Sequence, residues 1–204
     1  MKYIFFDVDG VLINGFSARS DHYRRRWDEN LERDLGIVPQ DMQNAFFERG
    51  FKDVILGKRD LLKALDDVLP EMHYRGMAQT LVDYWLKHDS EINTETMEIV
   101  KKLKARPGMR LFLATHQEKY RANHLWHELG FKEYFEEIYY SGRMGMSKTE
   151  HRFFDLIENE LCLTERDCLL IDDDPKVIEA ATKAGWHTIL FNGPEDIAHL
   201  VEAA

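Results

Sequence analysis

Two aspartates stand two residues apart in "YIFFDVDGVL", where an apolar run gives way to glycine: Asp7 and Asp9. Residues at that spacing in an extended chain project to one side. One carboxylate can then attack an electrophile while the other exchanges a proton with the departing or entering oxygen. A second acidic run, Asp172-Asp173-Asp174, closes "LLIDDDP", and two more reactive residues stand apart, Thr115 in "LFLAT" and Lys148 in "MGMSK". Gathered in one place, four or five carboxylates repel one another unless a cation lies among them. The available ligands are all oxygen, with no Cys or His cluster at ligand spacing, so Mg²⁺ is the natural ion. Such a cation, faced by a lysine and a hydroxyl, neutralises the charge of a transferring phosphoryl group. The partner this chemistry asks for carries a phosphoryl group.

Taken singly, each residue has a plainer explanation, since aspartates favour turns, threonine suits strand ends and most lysines are exposed. Only the surrounding elements can bring them together. Apolar runs bounded by turn chemistry predict strands over Tyr3–Val8, Arg110–Thr115, Glu137–Ser141, Cys168–Asp172 and Thr188–Phe191. Helical stretches lie between the last four: "EKYRANHLWHEL", "TEHRFFDLIENEL" and "PKVIEAATKAG", the last with proline in its first turn and glycine after its end. Alternating strands and helices imply an α/β fold, a doubly wound parallel sheet whose ligands sit at the carboxyl ends of the strands. Asp7, Asp9, Thr115, Lys148 and the acidic run all fall at such ends.

From about Gly15 to Asn93 the rhythm changes to amphipathic helices ("DMQNAFFERGF", "KRDLLKALDDVL", "HYRGMAQTLVDYWLKH") with no convincing strand. We read residues 15–93 as an inserted helical bundle, and residues 1–14 and 94–204 as the α/β core. "TETMEIVKKLK" returns the chain to the core, with a partial capping-box spacing from Thr94 to Met97. The stretch "SARSDHYRRRWDENLERDLG" alternates charge as a solvated helix face does.

With 204 residues and 44% hydrophobic content, the chain suits one core with a modest insertion. A formal charge of −10 opposes nucleic-acid binding, and Arg24-Arg25-Arg26 does not reverse it. No run of some eighteen apolar residues suggests a membrane span, and no signal-peptide pattern opens the chain, so the expected compartment is the cytoplasm. Cys162 and Cys168 are too few for a disulfide framework and are expected as buried, reduced thiols. "DVDGVLINGF" lacks a dinucleotide fingerprint, so NAD or FAD is not expected.

The four motifs "DVDGV", "LATH", "MGMSK" and "LLIDDDP", in that order, resemble the haloacid dehalogenase (HAD) superfamily in its branch of aspartate-nucleophile phosphatases. "YYSGRMGMSKTEHRFF" and "IDDDPKVIEAA" look most like phosphatases of glucose 1-phosphate and similar small esters. The resemblance implies that Asp7 is the nucleophile and a Mg²⁺ ligand, and that Asp9 is the acid/base and lends its backbone carbonyl to the metal. It further implies that Thr115 holds a phosphate oxygen and that Lys148 neutralises the phosphate and steadies Asp7. Asp172 and Asp173 would complete the metal site, while Asp174 would cap the helix beginning at Pro175. The family's dehalogenases lack an aspartate at the place of Asp9, which disfavours dehalogenation.

Two positions depart from the pattern: Thr149 follows Lys148 where many relatives have proline, and His116 follows Thr115 where a small or amide side chain is commoner. His116 is either a turn residue or a contact to the leaving group. His124 and His127 lie on a helix expected to pack outside the sheet, at its surface. Phe46, Phe47, Lys52 and Lys58 are possible cap residues lining the site. The alternatives are a phosphomutase, which would share every core residue, and a non-catalytic phospho-ligand-binding relative. A receiver-type signalling domain has these residue types in a different order and no helical insertion.

Overall fold

The computed structural model describes residues 2–15 and 26–202. Seven strands are present among them: β1 (Tyr3–Phe6), β2 (Ile13–Asn14), β3 (Glu91–Ile92), β4 (Arg110–Thr115), β5 (Ile138–Tyr140), β6 (Cys168–Asp172) and β7 (His187–Leu190). Five of them form a wholly parallel sheet in the order β5-β4-β1-β6-β7. The described helices are α1 (Leu31–Leu35), α2 (Pro39–Met42), α3 (Phe51–Ile55), α4 (Leu61–Asp66), α5 (Ala78–His88) and α6 (Thr94–Lys104), followed by α7 (Lys119–Asn123), α8 (Ser141–Met144), α9 (His151–Leu161), α10 (Pro175–Lys183) and α11 (Glu195–Glu202).

β1 is central, and the pleat divides its side chains between two cores. Ile4 and Phe6 pack with Val100 and Leu103 of α6 and Ile197 of α11. Phe5 faces the other way, among Phe153, Phe154 and Ile157 of α9 and Val177 and Ala181 of α10. Both faces are therefore covered, as parallel strands that are apolar throughout require. Each fully buried aromatic or aliphatic side chain here contributes on the order of 1.5–3 kcal/mol of transfer free energy.

The switch point lies at β1, whose neighbours β4 and β6 are reached by crossovers on opposite sides. There the chain curls tightly: the carbonyl of Val8 accepts from the backbone N–H of Leu12 at 2.8 Å and of Ile13 at 2.9 Å. Gly10 sits at φ 82°, a region L side chains rarely adopt.

Between β2 and β3 the chain forms a helical unit with its own core, built on Leu31, Phe46, Leu65, Leu81 and Val82. The departing and returning segments are tied together. Ile13 pairs with Ile92 in an antiparallel ribbon, and Asn93 donates its backbone N–H to Leu12 O at 2.8 Å. Two further contacts press this unit onto the sheet domain. The Ser141 hydroxyl donates to Ile55 O at 2.7 Å, and a side chain at Gly57 (φ 70°) would meet the Gly142 carbonyl at 2.1 Å.

Several local expectations are corrected. Glu91–Ile92 forms a strand where none is predicted, because a two-residue ribbon leaves almost no periodic signal. Asn93 caps α6, accepting from Thr96 N at 3.2 Å, so the cap lies one residue before Thr94. Cys168 is buried but Cys162 is exposed, since it ends α9 in the left-handed conformation at φ 53°. β1 ends at Phe6 and β5 spans only Ile138–Tyr140. The charged helix expected across 17–36 falls partly on residues 16–25, with Arg24 and Arg25, which lie outside the described residues; α1 covers Leu31–Leu35. None of the described helices is long and apolar enough to cross a membrane.

Candidate active site

The four strand-end motifs meet at one rim of the sheet. Asp7 follows β1, Thr115 ends β4, Asp172 ends β6, and Lys148 comes from the loop after α8. Lys148 is 1% exposed and its Nζ lies 2.8 Å from Asp7 Oδ1, 2.7 Å from Asp172 Oδ2 and 3.1 Å from Ala114 O. Three acceptors thus use the three protons of its ammonium group. Burial alone would lower its pKa; the carboxylates of Asp172 and Asp7 overcome that and raise it, so the lysine stays charged.

Asp7 Oδ1 also accepts from Val8 N at 2.8 Å, which fixes the rotation of the carboxylate. Asp172 Oδ1 accepts from Asp174 N at 2.9 Å. Burial, reinforced by the Asp7 carboxylate, pushes the Asp172 carboxyl upward, with the lysine charge opposing. Asp7, Asp172 and Asp173 each offer an oxygen, all within 4.8 Å of one another and all buried. Such an all-oxygen, all-carboxylate set fits a hard divalent ion. Gly10 belongs to this arrangement by absence of bulk: a Cβ there would lie 2.4 Å from Asp173 Oδ2.

Asp9 is held from above. Arg121 Nη2 donates to its Oδ1 at 2.9 Å and Gln117 Nε2 to its Oδ2 at 2.6 Å. The same Gln117 nitrogen lies 3.4 Å from Thr115 Oγ1. Arg121, 3% exposed, also approaches Asp89 of the helical unit at 3.4 Å, and its Nη1 is buried without a hydrogen-bond partner. Asp89 is raised to about 6, by burial first, with Arg121 opposing. Gln117, Arg121 and Asp89 are absent from the sequence reading. Gln117 carried a usable signal, lying two residues beyond Thr115 in the loop at a strand's carboxyl end. Arg121 and Asp89 carried none, Arg121 being a charged residue of an amphipathic helical stretch and Asp89 the residue that ends another.

His116 sits beneath the lysine loop. Its Nε2 accepts from Lys148 N at 2.9 Å and lies 2.9 Å from the Ser147 hydroxyl. Burial, then the Lys148 charge, push its pKa down to about 3, so the ring is neutral and serves as a backbone acceptor in a turn. Asp174 caps α10, accepting from Lys176 N at 2.8 Å. His124 is half-buried at the junction of the two units, 2.9 Å from the Ser90 hydroxyl, whereas His127 is exposed.

These groups form the floor of a cavity of about 590 Å³, whose roof comes from the helical unit through Trp27, Gln43, Phe47, Phe51, Ile55 and Trp85. Phe47 lines it; Phe46 is instead 1% exposed inside the core of the helical unit, and Lys52 and Lys58 are exposed away from the cavity.

A sequence model of the haloacid dehalogenase-like hydrolases matches residues 1–185, and the chain belongs to that family. No curated protein matches it by sequence. Among solved structures it is similar to the HAD family enzyme BT-2542 of Bacteroides thetaiotaomicron in complex with magnesium and inorganic phosphate. That likeness has 22% identity and a TM-score of 0.79, covering 98% of each chain. A HAD-like family hydrolase of Porphyromonas gingivalis is 22% identical over 100% of this chain and 99% of its own, with a TM-score of 0.76. A 2-haloacid dehalogenase of Pseudomonas syringae pv. Tomato is 20% identical over 94% and 86%, with a TM-score of 0.62. These likenesses establish the HAD-like α/β fold.

Proposed function

We propose that the protein is a Mg²⁺-dependent phosphatase of small phosphomonoesters working through an aspartyl-phosphate. The observation that carries this reading is that Asp7 and Asp9 line one cavity, with Lys148 buried between Asp7 and Asp172. Asp7 attacks phosphorus and the bond to the leaving oxygen breaks as that oxygen takes a proton from Asp9. Asp9 then removes a proton from water, whose oxygen attacks phosphorus and releases Asp7 and inorganic phosphate. Lys148 and Thr115 hold the phosphoryl oxygens, and Gln117 and Arg121 orient Asp9. Mg²⁺, present with inorganic phosphate in the Bacteroides relative, would be held by Asp7, Asp172, Asp173 and the Asp9 carbonyl, and would neutralise the developing charge.

Dehalogenation, the activity named for the Pseudomonas protein, makes no use of a proton donor at a leaving oxygen, so Asp9 favours phosphoryl transfer. A small phosphorylated metabolite is the partner, and two free thiols suit the reducing cytoplasm.

The test is release of inorganic phosphate from a panel of phosphomonoesters, with and without Mg²⁺. We expect metal-dependent release, and a loss of roughly 10⁴-fold or more in Asp7→Asn with an unchanged circular dichroism spectrum. Turnover retained in Asp7→Asn would overturn the nucleophile assignment.

A further inference from the structure

The roof of the cavity differs in kind from its floor. Trp27 and Trp85 stack at 5.2 Å and 22°, Phe47 meets Trp85 edge-on at 5.4 Å, and Phe51 lies 5.1 Å from Phe47. Each ring is held by the next, so the four make one preorganised aromatic wall. All four are only half-buried, and all face the cavity. An aromatic surface left half-wet over a reacting centre is a surface waiting for an apolar face.

The charges around the wall are already engaged with one another. Arg26 and Asp28 form a two-pronged pair, with Nε to Oδ1 at 2.9 Å and Nη2 to Oδ2 at 2.7 Å. Asp89 accepts from Trp85 Nε1 at 3.1 Å and lies against Arg121. Lys52 and Lys58, which could have answered a second anionic group, do not line the cavity. Among the described residues, the one cation that the helical unit brings to the cavity is Arg26, already paired with Asp28, so a leaving group bearing a carboxylate or a second phosphate would have to break that pair. For a polyhydroxylated one the described roof offers Gln43 and the already engaged Arg26, Asp28 and Asp89 as polar side chains, against four aromatic rings.

We infer that the preferred substrate is a phosphomonoester whose leaving group carries a flat, uncharged ring, seated against Trp85, Phe47 and Phe51. This deepens the phosphatase reading and rests on it. Recognition then divides cleanly: the floor reads the phosphoryl group, and the wall reads the ring beyond the ester oxygen.

The experiment compares 2-phenylethyl phosphate, uridine 5′-monophosphate and ribose 5-phosphate, with Mg²⁺, using Asp7→Asn as the blank. All three release a primary alcohol, so their intrinsic reactivity is similar and differences in kcat/KM report recognition. We expect the two ring-bearing esters to exceed ribose 5-phosphate by at least about tenfold. That ratio should shrink several-fold in Trp85→Ala and, with the wall otherwise kept, in Phe51→Leu. Equal or better hydrolysis of ribose 5-phosphate by the wild type would overturn the ring preference while leaving the phosphatase reading intact. A ratio unmoved in both variants would overturn the assignment of the wall as the seat. Absence of phosphate release from every ester, at the level of the Asp7→Asn blank, would overturn the phosphatase reading and this inference with it.

Discussion

The sheet rim and the helical roof enclose one cavity but are built on opposite plans. On the rim, reactive side chains are few, almost wholly buried, and fixed by backbone and ion pairs at strand ends: Lys148 is 1% exposed and Asp172 0%. On the roof, the lining side chains are half-exposed aromatics carried by short helices, held mainly by each other. The phosphoryl transfer proposed above calls for the first plan, because a displacement of about 1 Å between Asp7 and Lys148 would cost roughly a hundredfold in rate. Recognition of one leaving group needs only a surface of the right shape, which the second plan can remodel without disturbing the first.

The largest effect expected from breaking this contrast is on the rim. In Lys148→Met, Asp7 and Asp172 would remain buried without their cation. We expect about 3–5 kcal/mol of stability to be lost in urea unfolding with EDTA present, part of it restored by Mg²⁺ through binding to the folded state. A variant as stable as wild type in EDTA would mean that the two carboxylates are not charged together.

A smaller effect is expected where roof meets rim. Gly57→Ala places a methyl group against the Gly142 carbonyl and strains a positive φ. We expect kcat/KM to fall by about tenfold, with the urea midpoint of the sheet domain little moved, because the helical unit is displaced rather than unfolded. Unchanged kinetics would show that this contact does not govern how the roof sits.

The smallest concerns pH. His116 is depressed to about 3 in the folded protein against about 6.5 unfolded. Between those values the unfolded chain binds more protons, so stability falls as pH drops from 6.5 toward 3. His116→Gln, which can still accept from Lys148 N, should lessen that acid loss relative to wild type. Identical slopes of unfolding free energy against pH would remove His116 from the account.

The legibility of the two plans in the sequence differs for the same physical reason. Strand-end chemistry is written in short words: an apolar run, then an aspartate, threonine or acidic cluster, and a parallel sheet does the rest by aligning the ends. Asp7, Thr115, Asp172 and Asp173 could be placed together without knowing any loop, whereas Lys148 reaches them from the loop after α8. The roof could not be read in this way, because helical periodicity says which face is apolar but not whether that face meets a core or a cavity. Phe46 and Phe47 show the difficulty. They are adjacent, yet one is buried in the core of the helical unit and the other lines the cavity. Residues 43–47 form a π-turn, with Glu48 N bonded to Gln43 O five residues back, and the extra residue per turn shifts the phase that a 3.6-residue period assumes. A second π-turn, His124–Glu128, follows α7; Arg121 lies before it and went unread because a charge on an amphipathic stretch carries no signal of its own.

The order of strands in the sheet also has a consequence in time. β1 leaves the ribosome before the rest of the described sheet, but its neighbours are β4 and β6, so YIFF has no partner until Arg110–Thr115 and then Cys168–Asp172 have been made. The helical unit, whose core is drawn from residues 31–82, can gather meanwhile from local contacts. We therefore expect nascent chains stalled before residue 168 to bind a hydrophobic dye and to be cleaved readily by protease at the sheet segments. Chains stalled well beyond Leu190 should resist both, and equal protection at the two lengths would refute this order of assembly.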